Sequence, residues 1–254
     1  QKVLNFGSCT NPQFRGNGLG KIGTTGFFIG LVGGVHFGVG VTLYLVKSAI
    51  AADQKSHVLS ALVMWCTYMS LLCGFHFMEF FTTAVHQPKV LSYESYIVNH
   101  SKSYTVAALA SWTEFWLEYY WFGGSKLRTY VSILGVLMVL MGQIVRSVGM
   151  WHCGEHFSHI IMDEKKQEHQ LVTTGIYRYF RHPSYFGWFY WSVGTQLVLC
   201  NPICTVAYAA AAWYFFHDRI PYEERLLVKF YGEKYVKYAE STVIGIPGIK
   251  GYAS

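Results

Sequence analysis

The stretch YFGWFYWSVGTQLVLCNPICTVAYAAAAWYFF, residues 185–216, carries no charged side chain and has an Asn-Pro pair at its centre. A helix crosses the hydrocarbon core of a membrane with about 20 apolar residues, so this run is too long for one crossing. Pro202 cannot continue a helix without losing a hydrogen bond. The stretch therefore reads as two helices folded back at Asn201-Pro202 into a tight hairpin, which enters and leaves on one side of a bilayer.

Working towards the N-terminus, the stretches 26–46, 58–82, 104–122 and 129–149 are each long and apolar enough, or nearly so, to form a further crossing. The expected fold is all-α, a polytopic integral membrane protein with about six transmembrane helices. Composition agrees: of 254 residues 52% are hydrophobic and only 13% charged, against about 25% charged in an ordinary soluble domain. The loops are too short for a separate folded unit, so residues 1–254 are expected to form one membrane domain. No nucleotide-binding α/β unit can be built anywhere in the chain.

Cytoplasmic loops of membrane proteins carry the excess of Lys and Arg. With the N-terminus inside, the outer loops keep only Lys47, Lys55, Lys126 and Arg128 of the 20 basic residues. The connection 150–184 and the tail 217–254 then face the cytosol. The sequon Asn99-His100-Ser101 falls on that same side, where glycosylation does not occur. Six cysteines form no C-x-x-C pair, which argues for free thiols over a disulfide framework or zinc ribbon. Nothing at the N-terminus has the order of a signal peptide, and a start at Gln1 is consistent with a trimmed chain.

Gly26, Gly30, Gly34 and Gly38 recur every four residues and are expected to line one face of the first helix, where another backbone can approach. The ionisable residues within spans are His76 and Glu79, Glu114 and Glu118, and Gln143 with Arg146. Mutual pairing, or snorkelling of Arg146 to the interface, accounts for them without catalysis. His152, His156 and His159 would share a helix face suited to a metal, but no second ligand set accompanies them and no metal is assigned.

The stretch EHQLVTTGIYRYFRHPSYFGWFYW, residues 168–191, is punctuated by Gly175 and Pro183. It places Tyr177, Arg181, His182, Ser184 and Tyr185 at the membrane edge. Arg219, Glu223 and Glu224 follow the hairpin directly. Because the hairpin returns to its starting surface, the two clusters are expected to meet. Pro221 suits a first helical turn, so a new amphipathic helix is expected over 221–231 with both glutamates near its positive end.

LVTTGIYRYFRHPSYFGWFYWSVGTQLVLCNPIC (171–204), NHSKSYTVAALASWTEFWLE (99–118) and FYGEKYVKY (230–238) resemble the protein-S-isoprenylcysteine O-methyltransferases, also called isoprenylcysteine carboxyl methyltransferases. The resemblance covers about residues 60–250. RHPSYFG alone is shared with other membrane methyltransferases and some sterol reductases, whereas GTQLVLCNPIC is more particular. The family resemblance implies methyl transfer from S-adenosylmethionine, leaving S-adenosylhomocysteine, to the C-terminal carboxylate of a farnesylated or geranylgeranylated cysteine. The implied partners are prenylated CaaX proteins such as small GTPases and lamins together with the lipid bilayer, with no nucleic acid. The implied location is the endoplasmic reticulum membrane, with the active site facing the cytosol. Residues 26–149 would supply N-terminal transmembrane helices and 150–254 the catalytic region.

Carried over by position, cofactor contacts would come from Met162, His169, Gln170, Leu171, Val172, Tyr177, His182, Pro183, Ser184, Tyr185 and Glu223. The catalytic residues implied are Arg219, Glu223 and Tyr185, with Arg219 meeting the substrate carboxylate. Met162 stands where the family has a polar residue, so only its backbone could serve. The family's acidic run after the Arg is replaced here by RIPYEE, and residues 1–25 are polar where relatives carry further apolar segments. A carboxylate with a reference pKa of about 3.5 is ionised at neutral pH, so the reaction needs no general base. Three rivals stay open: a phospholipid N-methyltransferase, which needs no Arg for a carboxylate, a sterol reductase, and a non-catalytic lipid-binding or transport protein. No inverted repeat of the transporter kind is visible.

Overall fold

The structure is a computed structural model that describes residues 18–49, 55–98, 101–123, 128–164 and 170–252. Seven α-helices form among them: α1 Gly18–Ala49, α2 Lys55–His86, α3 Lys102–Phe122, α4 Thr129–Cys153, α5 Pro183–Val198, α6 Pro202–Tyr231 and α7 Glu233–Glu240. The described residues contain no strand, only an isolated parallel bridge between Phe180 and Val243. Asn99 and His100 of the sequon, Cys9 and His169 lie outside the described residues.

Among the described residues three segments are long and apolar enough to cross a membrane: Gly18–Ala49, His57–His86 and Thr129–His156. They contain the expected spans 26–46, 58–82 and 129–149. Large apolar side chains point outward from them, as at Phe37 (66% exposed) and Leu137 (60% exposed), which suits helices with lipid as their solvent. The protein is an integral membrane protein. The fourth expected span lies within α3, which Glu114 and Glu118 make more polar.

The helices fall into two compact units, one of the described residues up to Ile133 with Val198–Asn201, the other of Leu134–Leu197 with the described residues from Pro202 onward. In the first unit α1 packs on α2. The expected glycine face is corrected here: a Cβ at Gly30, Gly34 or Gly38 would meet nothing within 4 Å. The close approaches are at Gly26, Gly33 and Gly40, where a Cβ would lie 2.6 Å from the Tyr96 hydroxyl, 2.9 Å from Cys73 Cβ and 3.1 Å from Cys66 Cβ. Contact thus recurs every seven residues, the repeat that keeps one seam of a helix on its neighbour. The His76 ring nitrogens meet the Tyr96 carbonyl (2.8 Å) and the Tyr104 hydroxyl (3.3 Å). The turn before α6 also belongs to this unit, where the Asn201 amide donates to the Ser111 carbonyl at 2.9 Å with both residues fully buried.

In the second unit α4 and α5 approach through another pair of seven-residue glycine spacings. A Cβ at Gly142 would lie 2.6 Å from the Gly187 carbonyl, one at Gly149 2.9 Å from Pro183, and one at Gly194 3.0 Å from Val139. Arg146 does not snorkel: it is 6% exposed and donates to the Ser184 carbonyl at 3.2 Å.

The expected helix start at Pro221 is corrected as well, because Pro221 lies inside α6. An interior proline costs a helix about 3 kcal/mol, and here the flanking turns are held by tertiary contacts. Ile220 is fully buried against Phe216, Ala212, Phe189 and Val193. Glu224 is fully buried in an ion-pair network. The C-terminal segment returns onto this core with Ile244, Ile246 and Ile249, while Tyr190 and Trp213 donate to the carbonyls of Gly245 (3.1 Å) and Pro247 (2.8 Å).

Candidate active site

Within the second unit, the end of α4, the connection that follows it, the start of α5, the C-terminal third of α6 and α7 line a cavity of about 170 Å³. The uninterrupted α6 decides its geometry. Residues four apart share a helix face, so Arg219 and Glu223 lie side by side, while Glu224 points elsewhere.

Tyr185, in the first turn of α5, bridges that face. Its hydroxyl donates to Glu223 Oε2 (2.5 Å) and accepts from Arg219 Nε (2.9 Å). The ring is fixed by stacking on His182 at 5.4 Å and by Phe216 at 5.0 Å. Arg219 also donates through Nη2 to the His159 carbonyl (2.6 Å), and Tyr222 donates to Asp163 (2.8 Å). Two successive turns of α6 thereby hold the 157–164 connection in place.

Behind the cavity wall, Glu224 Oε1 takes Arg181 Nε at 2.6 Å and His182 Nε2 at 3.1 Å. Arg181 Nη1 donates to the carbonyls of Thr242 (2.6 Å) and Ala239 (3.4 Å). Burial alone would raise the Glu224 pKa, but the hydrogen bonds and charges of His182 and Arg181 outweigh it and hold the carboxyl down to about 2. The neighbouring glutamates therefore play different parts: Glu223 faces the cavity and Glu224 anchors its frame. Their adjacency in sequence conceals this division, which appears only once they occupy one continuous helix.

Of the residues expected to contact a cofactor, Met162, Gln170, Leu171, Val172, Tyr177, His182, Pro183, Ser184, Tyr185 and Glu223 all line the cavity. Arg219 does not line it and stands behind Tyr185. The histidine trio does not converge. His152 caps its own helix through the Val148 carbonyl (3.0 Å) and lies against Gly175, whose φ of 62° and contact with that ring leave no room for a side chain. Among the described residues no three His, Cys, Asp or Glu side chains gather as a metal requires. The walls from Leu226 to Tyr238 were not anticipated from sequence.

Residues 134–229 match the Isoprenylcysteine carboxyl methyltransferase (ICMT) family. Over 244 residues the chain is 33% identical to a protein-S-isoprenylcysteine O-methyltransferase of Saccharomyces cerevisiae, covering 94% of this chain and 95% of that one. The chain belongs to the isoprenylcysteine carboxyl methyltransferase family. It is also 50% identical to a protein-S-isoprenylcysteine O-methyltransferase of Homo sapiens over 184 residues, 72% of this chain and 65% of the human one; the chain thus matches just under two thirds of that relative's length. A solved structure of a eukaryotic intramembrane Ras methyltransferase, ICMT, is similar with a TM-score of 0.76 and 40% identity, over 88% of this chain and 75% of that one.

Proposed function

We propose that this chain transfers a methyl group from S-adenosylmethionine to the C-terminal carboxylate of a farnesylated or geranylgeranylated cysteine in CaaX-processed proteins, among them small GTPases and lamins. The observation that carries this reading is the contact chain Arg219–Tyr185–Glu223, in which Tyr185 and Glu223 line the cavity and Arg219 stands behind Tyr185. It sets a cation for a carboxylate beside an anion for a sulfonium cofactor. Family membership supports the same reaction.

The lining residues fit such a cofactor. Besides the Glu223 carboxylate, the Ser184 and Tyr235 hydroxyls are buried and have no hydrogen-bond partner among the described residues, so a polar ligand in the cavity would satisfy both. Met162 (backbone), His169, Gln170, Leu171, Val172, Tyr177, His182, Pro183, Ser184, Tyr185 and Glu223 would hold it. When bound, S-adenosylmethionine supplies an electrophilic methyl group. Arg219 orients the carboxylate with its planar fork of donors. Glu223 compensates the cofactor's positive charge, and Tyr185 fixes the spacing between Arg219 and Glu223, since orientation supplies much of the rate. No side chain has to remove a proton, because the nucleophile is already ionised.

In this reading the chain is one membrane domain of about six crossings in the endoplasmic reticulum membrane. Its α5–α6 hairpin lies in the bilayer and its site opens to the cytosol. The prenyl chain reaches the site laterally from lipid, past aromatic residues such as Trp188 and Tyr190. The test is transfer of label from radiolabelled S-adenosylmethionine to a farnesylcysteine analogue. The expected product is an alkali-labile methyl ester, and an unprenylated cysteine peptide turns over far less. Label that survives mild base shows N-methylation and overturns the proposal.

A further inference from the structure

The expected cofactor contacts stop at Glu223, yet α7 also faces the cavity through Tyr235 and Tyr238. Their hydroxyls differ. That of Tyr238 is used, donating to the Tyr177 carbonyl at 2.7 Å. Tyr235 is 1% exposed, and its hydroxyl has no hydrogen-bond partner among the described residues. Leaving a buried hydroxyl unsatisfied is unfavourable, and native proteins do so rarely. A residue that lines a cavity and carries such a hydroxyl is suited to a ligand.

Its surroundings indicate which part of a ligand. Tyr235 sits in a cluster with Tyr238, Ala239, Leu171, Tyr177, Leu227 and Tyr231, an aromatic and aliphatic wall suited to a flat, uncharged group. The Glu223 and Tyr185 side of the cavity offers charge and suits the sulfonium and amino-acid portion. We propose that Tyr235 is a cofactor-binding residue whose hydroxyl donates a hydrogen bond to the nucleoside part of S-adenosylmethionine. This rests on the cavity holding that cofactor. Burial raises the Tyr235 pKa, and the charge of Glu224 adds to it against the opposing Arg181. The hydroxyl therefore keeps its proton and remains a donor at any working pH.

The test compares wild type with Tyr235→Phe in the full chain, purified in nanodiscs, by calorimetric binding of S-adenosylhomocysteine and of methylthioadenosine, which keeps the nucleoside and lacks the amino acid. The expected result is that Tyr235→Phe weakens both ligands by the same factor, roughly 3- to 30-fold. The melting temperature without ligand stays the same or rises, because the hydroxyl is unpaired there, while the ligand-induced increase shrinks. Unchanged affinity for both ligands overturns the assignment. So does a loss confined to S-adenosylhomocysteine, which places the hydroxyl at the amino-acid end, or a sharp fall in melting temperature without ligand, which makes the role structural. If wild type binds neither ligand, the reading of the cavity fails instead.

Discussion

Arg181 Nε lies 2.6 Å from Glu224 Oε1, with the two side chains 4% and 0% exposed, so each charge is enclosed and depends on the other. Removing one member of such a pair leaves the other buried and uncompensated, which typically costs about 3–5 kcal/mol. Glu224→Ala is expected to lower the melting temperature sharply in a detergent or nanodisc thermal scan. A loss no larger than that of an exposed control such as Glu233→Ala contradicts the pairing.

The same pair sets an acid limit. Glu224 has its folded pKa depressed from 4.5 to about 2. Its contribution is full above the unfolded value and is lost as pH falls from about 4.5 through 2. Stability measured across that window is expected to decline more steeply in wild type than in Glu224→Gln, which cannot titrate there.

Arg219 is half-buried, and a hydrogen bond to a charged group is worth about 1.5–3 kcal/mol, so its replacement by Ala is expected to lower kcat/KM roughly 10- to 150-fold. Arg219→Lys keeps charge without the planar fork and falls between. Because Arg219 stands outside the cavity lining, S-adenosylhomocysteine affinity should change little in either variant. Loss of that affinity in a well-folded Arg219→Ala protein contradicts the division of roles.

Tyr185→Phe removes the oxygen that Arg219 and Glu223 share and keeps the ring that packs on His182 and Phe216. Hydrogen bonds to charged groups are worth about 1.5–3 kcal/mol, so kcat/KM should fall roughly 10- to 150-fold with normal folded yield. Full activity would mean that Arg219 and Glu223 hold their spacing unaided.

Neighbouring glycines of α1 provide a packing test. Gly33→Ala brings a Cβ to 2.9 Å from Cys73 Cβ, whereas Gly34→Ala meets nothing within 4 Å. The first should destabilise by about 1–3 kcal/mol and the second should be neutral or slightly stabilising through helix propensity. Equal effects in thermal scans would refute the seven-residue seam.

Helix-length apolar runs were legible because hydropathy and length depend on few neighbours: 26–46, 58–82 and 129–149 lie within observed helices, and Asn201-Pro202 marks the break before α6. Tyr185 does meet Arg219 and Glu223, as expected of the two polar clusters that flank the apolar run 185–216. Local signals failed where tertiary contacts outweighed them. Pro221 reads as a helix start, but Ile220 and Glu224 hold the helix through it. The four-residue glycine pattern reads as a seam, but the neighbour set the repeat at seven. The opposite fates of Glu223 and Glu224, and the fold-back of Ile244, Ile246 and Ile249, depend on partners too distant in sequence for a local pattern to show.

The acceptors of Arg181 lie 43, 58 and 61 residues further along the chain. At about 5–20 residues per second, the ribosome delivers the last of them roughly 3–12 s after Arg181 itself. Until the end of that interval the guanidinium lacks at least one of its final acceptors, Glu224 arriving first and Thr242 last. A nascent chain halted before Ala239 would already contain every residue proposed to touch cofactor or substrate. It would still lack the two carbonyls that hold Arg181, and with it the neighbouring His182, in position. Assembly of the pocket is thus an event of late synthesis, and translation stops in the final stretch should yield membrane-inserted but unligandable protein.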